Sequence, residues 1–239
     1  MKKMIIRLFA AVCLLAVISC GKTSISSKPR VGGASGLLKS LTQVVTSGNQ
    51  NDSIVTTFTY DSQNRVITQI TVSHSGGSIS GSNTTTYSYF ADSVIQNTTG
   101  LTIVTYYLNS NGYRASDNSG DKWTYNVNGY LMSAALANSA STYTYNASNQ
   151  LATQTNVTSV ATTTDTYTYP ANPIGSGGSS WQIGKSTGAL WTTDIQVKNG
   201  VTTTFTYTYS TDSKNRLSEE TTVSSAASSS QVVTYYAYY

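Results

Sequence analysis

The sequence predicts an all-β protein, an antiparallel meander of repeated hairpins forming a rolled or closed, barrel-like sheet. Three observations carry this. Aromatic and apolar residues alternate with Thr and Ser at a period of two through most of the chain after residue 53. Polar loops of one pattern recur between those runs. Beyond the N-terminal segment no stretch has the 3.6-residue apolar spacing of a long helix. Only Leu37, Leu38 and Leu41 are spaced for a single short helical turn.

The strands come first. Ile54, Thr56, Phe58 and Tyr60 share one face of an extended segment, and Val55, Thr57 and Thr59 share the other. The alternation returns at Thr85-Tyr87-Tyr89, Leu101-Ile103-Thr105-Tyr107, Tyr143-Tyr145, Tyr167-Tyr169 and Thr203-Phe205-Tyr207-Tyr209. Thr favours strands through β-branching and Tyr through packing area. A Tyr face backed by a Thr/Ser face describes a half-buried antiparallel sheet. Composition agrees: the 239 residues include 38 Thr, 36 Ser and 18 Tyr.

The loops follow. Tyr60-Asp-Ser-Gln-Asn-Arg-Val66, Tyr125-Asn-Val-Asn-Gly-Tyr-Leu131 and Tyr145-Asn-Ala-Ser-Asn-Gln-Leu151 each join two alternating runs. Tyr107-Leu-Asn-Ser-Asn-Gly-Tyr113 matches apart from its second position, and the segment from Tyr209 to Leu217 reads as a version two residues longer. Asn or Gly sits late in each, where a positive φ is needed. By position, the Asp that opens the first loop is kept only at Asp61 and becomes Asn126, Asn146 or Leu108 elsewhere.

These units resemble YD-type hairpin repeats. Over roughly residues 50–239 the chain resembles a family of Bacteroidota lipoproteins with a porin-like β fold. The resemblance implies several hairpins, then a long insertion opening at Tyr167-Thr-Tyr169 and Asn172-Pro173, then a returning strand pair. It implies no catalytic residues.

The N-terminus reads as an export signal. Lys2, Lys3 and Arg7 precede an apolar run at residues 8–18, too short to span a bilayer. Val17-Ile18-Ser19-Cys20 resembles the lipobox of bacterial lipoproteins. That resemblance implies cleavage before Cys20 and acylation of Cys20, with palmitate among the chains. Three acyl chains exceed the two-signal threshold for stable anchoring. The expected organisation is a signal peptide at 1–19, the lipidated Cys20 with a flexible tether at 20–50, and a hairpin domain at 51–239. The expected location is the bacterial cell envelope, lipid-anchored at the outer membrane. Gly21, Lys22, Thr23 and Ser24 include no acid, so the face of that membrane stays undecided.

Charge and chemistry narrow the function. Cleavage would leave eleven basic against ten acidic residues, lowering the formal charge from +4 to +1. No Lys/Arg cluster remains to bind nucleic acid. With one His and two Cys, one of them in the signal, there is no zinc set and no internal disulfide. No spacing assembles a nucleophile, a base and its orienter, so no enzyme and no cofactor are expected. His74 reads as a hairpin-loop residue. Glu219 and Glu220 adjoin in a strand and point to opposite faces. Gly76-Gly77 and the glycines at 175–178 lack a P-loop lysine.

The interval from Tyr169 to Val201 breaks the hairpin rhythm and holds Trp181 and Trp191, which are candidate ligand contacts or plugs at one end of the sheet. The expected function is a binding or scaffolding envelope lipoprotein whose partners are the membrane, through the lipid, and a glycan or envelope protein. The alternatives are a glycan-processing hydrolase using Asp194 or Asp165, and an integral outer-membrane barrel suggested by the alternating C-terminal segment Val233 to Tyr239.

Overall fold

The structure, a computed structural model, describes residues 37–47, 50–170, 179–180, 184–185, 190–226 and 230–239. No helix occurs among them. Four long strands open the fold: β1 (Leu38–Ser47), β2 (Gln50–Tyr60), β3 (Val66–Ser75) and β4 (Ser78–Tyr89). Five short ones follow: β5 (Ser93–Thr98), β6 (Val104–Leu108), β7 (Arg114–Asp117), β8 (Lys122–Tyr125) and β9 (Leu131–Leu136). Then come β10 (Ser139–Tyr145), β11 (Leu151–Thr158) and β12 (Thr162–Thr168). A two-stranded sheet, β13 (Ser179–Ser180) and β14 (Gly184–Lys185), lies within the next connection. The last four strands are β15 (Thr193–Lys198), β16 (Val201–Thr211), β17 (Leu217–Ser224) and β18 (Ser230–Tyr238).

Sixteen of these strands form one closed antiparallel barrel. Each pairs with its neighbours in sequence, except where β12 meets β15 across the insertion and β1 closes on β18. The meander expected from the hairpin pattern is present, and it closes.

Alternation sorts the side chains. Ile54, Thr56, Tyr167, Tyr207, Val232, Thr234 and Tyr236 are buried on the inner face. The outer face carries exposed Thr57, Thr59, Thr142, Thr144, Thr166 and Thr208. Outward hydroxyls pair across strands, as Thr144 with Thr153 at 2.7 Å and Thr124 with Ser133 at 2.7 Å. Such pairs stabilise a sheet by about 0.2–1 kcal/mol each. Two apolar clusters lie on separate parts of the wall. Leu38, Leu41 and Tyr236 form one, and Trp123, Leu131 and Ala134 the other. Between them the inner face is polar, with Gln43, Thr56, Ser141, Asp165, Asp194 and Thr234 buried.

The barrel begins earlier than the expected boundary at residue 51. Residues 38–47, read from composition as part of the tether, are β1, and the Leu37, Leu38, Leu41 spacing marks no helical turn. The cause is local: the register shifts between Leu38 and Ser40, adding one residue to the strand. Leu38 and Leu41, three apart, therefore both face inward, at 5% and 4% exposure. A bulge thus imitates helical spacing.

All connections from an even-numbered strand to the following strand lie at one rim. Five of them share one five-residue loop. Its first residue, Asp61, Asn109, Asn126, Asn146 or Asp212, accepts backbone N–H groups two and four residues on. Its fourth residue takes a positive φ, as at Asn64 (62°), Asn149 (58°) and Asn215 (55°). Two loops run differently from the sequence reading. In the unit at Tyr107–Tyr113 the acceptor is Asn109, so Leu108 replaces no Asp. In the last, Asp212 opens a loop of ordinary length and the two extra residues belong to β16. His74 is likewise not a loop residue. It lies in β3 opposite Ile79, and the turn is Gly76-Gly77 alone, with φ of 58° and 82°.

The same rim carries a ring of tyrosines. Tyr60, Tyr89, Tyr145, Tyr169 and Tyr238, at or beside the ends of their strands, donate their hydroxyls to the carbonyls of Leu38, Val66, Leu131, Leu151 and Leu217, each the first residue of the strand before. In four of the five loops the fifth residue lies over the tyrosine at the end of the next even-numbered strand. Arg65 sits 4.5 Å from the Tyr89 ring and Arg216 4.4 Å from Tyr238. Tyr113 and Tyr130 take that place against Tyr125 and Tyr145, at 5.3 and 5.1 Å.

Candidate functional site

The inner wall formed by β12, β15, β16 and β17 brings together aromatic and acidic side chains. Alternation in Thr162–Thr168 turns Asp165 and Tyr167 inward, between outward Thr164, Thr166 and Thr168. In β15 the inward residues are Asp194 and Gln196, and the exposed ones Ile195 and Val197. The β12–β15 register sets Asp165 opposite Gln196 and Tyr167 opposite Asp194. On the far side Asp194 faces Phe205, and Tyr209 faces Glu220.

Trp191 caps this wall at the tyrosine rim. Its ring lies 4.8 Å from Tyr167 and 6.1 Å from Tyr207, and Tyr207 stacks on Tyr209 at 6.5 Å. The Trp191 carbonyl accepts the Tyr209 hydroxyl at 2.6 Å. The indole is half-buried, and its buried N–H points toward the Tyr207 hydroxyl without reaching normal hydrogen-bond geometry. Trp181 lies outside the described residues, as does Cys20. The described end of the insertion reaches the loop between β8 and β9: the Lys185 amide donates to the Gly129 carbonyl at 2.8 Å, and its ammonium lies 5.1 Å from the Tyr130 ring.

The carboxyls are held away from their usual charge state. Asp194 is 3% exposed, and one of its oxygens is buried without a partner. Burial, then the negative charge of Asp165, pushes its pKa up to about 7. Asp165 is also raised by burial, against the amide bond it accepts from Gln196 at 2.9 Å. Burial pushes Glu220 up to about 7, opposed by hydrogen bonds from Tyr236 and Thr222. Tyr167, Tyr207 and Tyr209 are raised by burial first and by these carboxylates second. Near neutral pH the wall therefore offers hydroxyls, an amide and the part-protonated carboxyls of Asp194 and Glu220, beside closely packed rings of which Trp191 is half-buried.

Asp165 and Asp194 sit diagonally on paired strands of one wall. Glycosidase carboxylates instead flank the scissile bond from two sides, about 5–10 Å apart. Glu219 and Glu220 take opposite faces, as the strand reading requires. Among the described residues no three His, Cys, Asp or Glu side chains are grouped to hold a metal ion. Elsewhere, Ala91, Asp92 and residues 108–112 line an open rim groove of about 580 Å³. The wall was only partly legible in the sequence. Trp191 and both Asp residues stood out by type, but Tyr207 and Glu220 carried no signal beyond strand alternation.

No protein-family model matches the chain, and no curated protein matches it. Solved structures do. A porin-like protein from Bacteroides uniformis superposes with a TM-score of 0.67 at 19% identity, over 84% of this chain and 98% of that one. The barrel fold is that of porin-like proteins from Bacteroides. A second such protein, from Bacteroides vulgatus, gives a TM-score of 0.57 at 11% identity, over 86% of this chain and 99% of its own. At these identities the likeness establishes the fold alone.

Proposed function

We propose that the protein is a non-enzymatic, lipid-anchored envelope barrel that binds a polyhydroxylated ligand, glycan in class, against its inner wall. The observation that carries this is the Tyr167–Trp191–Tyr207 stack beside protonatable Asp194 and Asp165. Ring faces stack on the apolar faces of sugars, carboxyls accept from sugar hydroxyls in either charge state and donate when protonated, and amides and phenols do both. Half-buried inward residues such as Gln69, Gln96, Tyr143 and Gln154 leave the interior partly wetted, as ligand entry needs.

The anchor is part of the same reading. Leu38 starts β1 at the tyrosine rim, so a lipid on Cys20 would turn that rim toward the membrane. Labelled palmitate should enter the wild-type protein in a Gram-negative host and be lost in Cys20→Ala. An unlabelled wild type would remove the anchor from the proposal. For the ligand, a glycan array should bind the full chain and bind Trp191→Phe at least several-fold more weakly. Equal binding by both would place the ligand elsewhere, and background binding by both would end the glycan reading.

A second reading, an integral outer-membrane barrel, rests on closure of sixteen antiparallel strands. Two features weigh against it. β7 and β8 have four residues each, whereas a membrane strand needs about 9–11. The outer face is also dominated by threonine hydroxyls rather than an apolar band. Cys20→Ala protein should leave the membrane in alkaline carbonate if the peripheral reading is right. Retention would favour the integral barrel.

A further inference from the structure

On a different part of the wall, a lone arginine faces inward. Arg114 opens β7, where it pairs with Leu108. Its guanidinium carbon lies 3.8 Å from the Trp123 ring centre and 5.4 Å from that of Tyr106. Trp123, Leu131 and Ala134 are buried beside it, with Tyr106, Tyr125 and Tyr143 packed around them. The side chain thus sits in an aromatic pocket on the inner face.

That environment stacks on the faces of the guanidinium and offers its edge the neutral hydroxyls of Tyr106 and Tyr125 rather than a carboxylate. The ion pairs formed among the described residues join Asp61 to Arg65 and Asp212 to Arg216, at the rim. Asp117, at the other end of β7, already accepts the amides of Ser119 and Asp121. Asp121 accepts the amide of Ala137. Arg114 Nε is buried and makes no hydrogen bond, while the buried Tyr125 hydroxyl faces the guanidinium as an acceptor, which leaves its own proton to be placed. A buried charge without a counter-ion is strongly unfavourable. The Nε–H and the Tyr125 phenol proton, side by side, are both matched by one acceptor-only group. A guanidinium fork fits an oxyanion in two-point fashion, which an ammonium cannot.

We propose that Arg114 and Tyr125 form a binding site for an oxyanion group, carboxylate or sulfate, carried on a ligand whose ring lies against Trp123 and Tyr106. This site is separate from the Trp191 wall and stands or falls independently of it. Burial lowers the Arg114 pKa, yet an arginine stays charged at any working pH.

Calorimetric titration of the full-length protein in detergent tests this with three probes: sodium glucuronate, sodium sulfate and glucose. One or both anions should bind, and glucose should bind at least tenfold more weakly than the better anion. The sugar acid binding alone marks a carboxylate-bearing ring as the ligand, and sulfate binding alone marks a sulfated one. Arg114→Met should weaken that binding at least tenfold. Arg114→Lys, which keeps the charge but not the fork, and Tyr125→Phe, which keeps the packing, should each weaken it several-fold. Near-UV circular dichroism identifies which variants keep the Trp123 packing, and the comparison uses those. Absence of binding by both anions, glucose binding as tightly as either, or unchanged affinity in the folded variants would each overturn the proposal. A normal glycan response at Trp191 alongside any of these failures would leave the other reading intact.

Discussion

The Tyr145 hydroxyl, at the end of β10, donates to the Leu131 carbonyl at the start of β9, 2.8 Å away. The bond spans the open end of one hairpin and holds two strands whose ladder register covers only Ser139 to Thr142. Tyr145 also packs on Tyr130, which ends the loop leading into β9. One side chain therefore ties a strand end, its neighbour's start and a loop.

Tyr145→Phe should cost about 1 kcal/mol by urea denaturation, the net worth of one hydrogen bond. Tyr145→Ser, which also removes the ring, should cost about 3 kcal/mol. A loss below about 0.5 kcal/mol for the serine variant would mean that the tyrosine ring adds nothing to hairpin stability.

The shared loop makes separate predictions. Asp61 accepts the amides of Gln63 and Arg65 at 2.8 and 2.9 Å and the Arg65 guanidinium at 2.7 Å. Asp61→Ala should cost about 2 kcal/mol, as two amides and a charge partner lose their acceptor. At Asn149, with φ of 58°, replacement by Gly should be near neutral and replacement by Ile should cost about 1–2 kcal/mol. Equal stability of the two Asn149 variants would contradict the backbone assignment.

Trp191→Ala should cost about 3–5 kcal/mol, because the indole fills the space between Tyr167 and Tyr207. Trp191→Phe should retain most of that stability. The near-UV dichroism of the stacked rings should fall in the alanine variant, and an unaltered spectrum would show that the stack is not maintained in solution.

Stability should fall as the solution is made less acidic. Asp194 and Glu220 are raised to about 7 by burial, from ordinary values of 3.8 and 4.5. The folded state therefore binds more protons than the unfolded chain between those limits. The associated stability is fully present below the ordinary values and is lost as pH rises through about 7. Asp61 runs the other way: burial would raise it, but the Arg65 and Gln63 amides and the Arg65 side chain hold it below 3.8, so its contribution is lost on acidification. The urea midpoint should therefore decline from about pH 5 to about pH 8, and Asp194→Asn or Glu220→Gln should flatten the decline. A rising midpoint over that range would contradict the buried state of both carboxyls.

Much of the barrel was legible because the code is local. The alternation from Ile54 to Tyr60 and the Asp or Asn before each rim loop state strand, face and turn within a dozen residues. What failed depended on distant partners. β1 was misread because its bulge brings Leu38 and Leu41 to one face and because its partner β18 lies at the other end of the chain. Asp165 and Asp194 become neighbours only through β12–β15 pairing across the insertion. Arg114 gave no warning, since its aromatic surroundings come from three other strands. The rim tyrosines were visible as a repeated letter, but not as donors, because their acceptors are backbone carbonyls and carry no side-chain signature.

The β1–β18 seam has a consequence for how the chain acquires its shape. Every other pairing in the barrel except β12–β15 joins strands consecutive in the chain, and those hairpins can form as they leave the ribosome or an export channel. The first strand made must wait for the last. Until β18 arrives, β1 presents Thr42, Val44 and Thr46 along an unpaired backbone edge, and β17 presents the matching edge from Glu219 to Val223. Such edges recruit strands from other molecules. The vulnerable species is therefore a nearly finished barrel, and truncation within β18 should produce aggregates rather than a smaller soluble sheet.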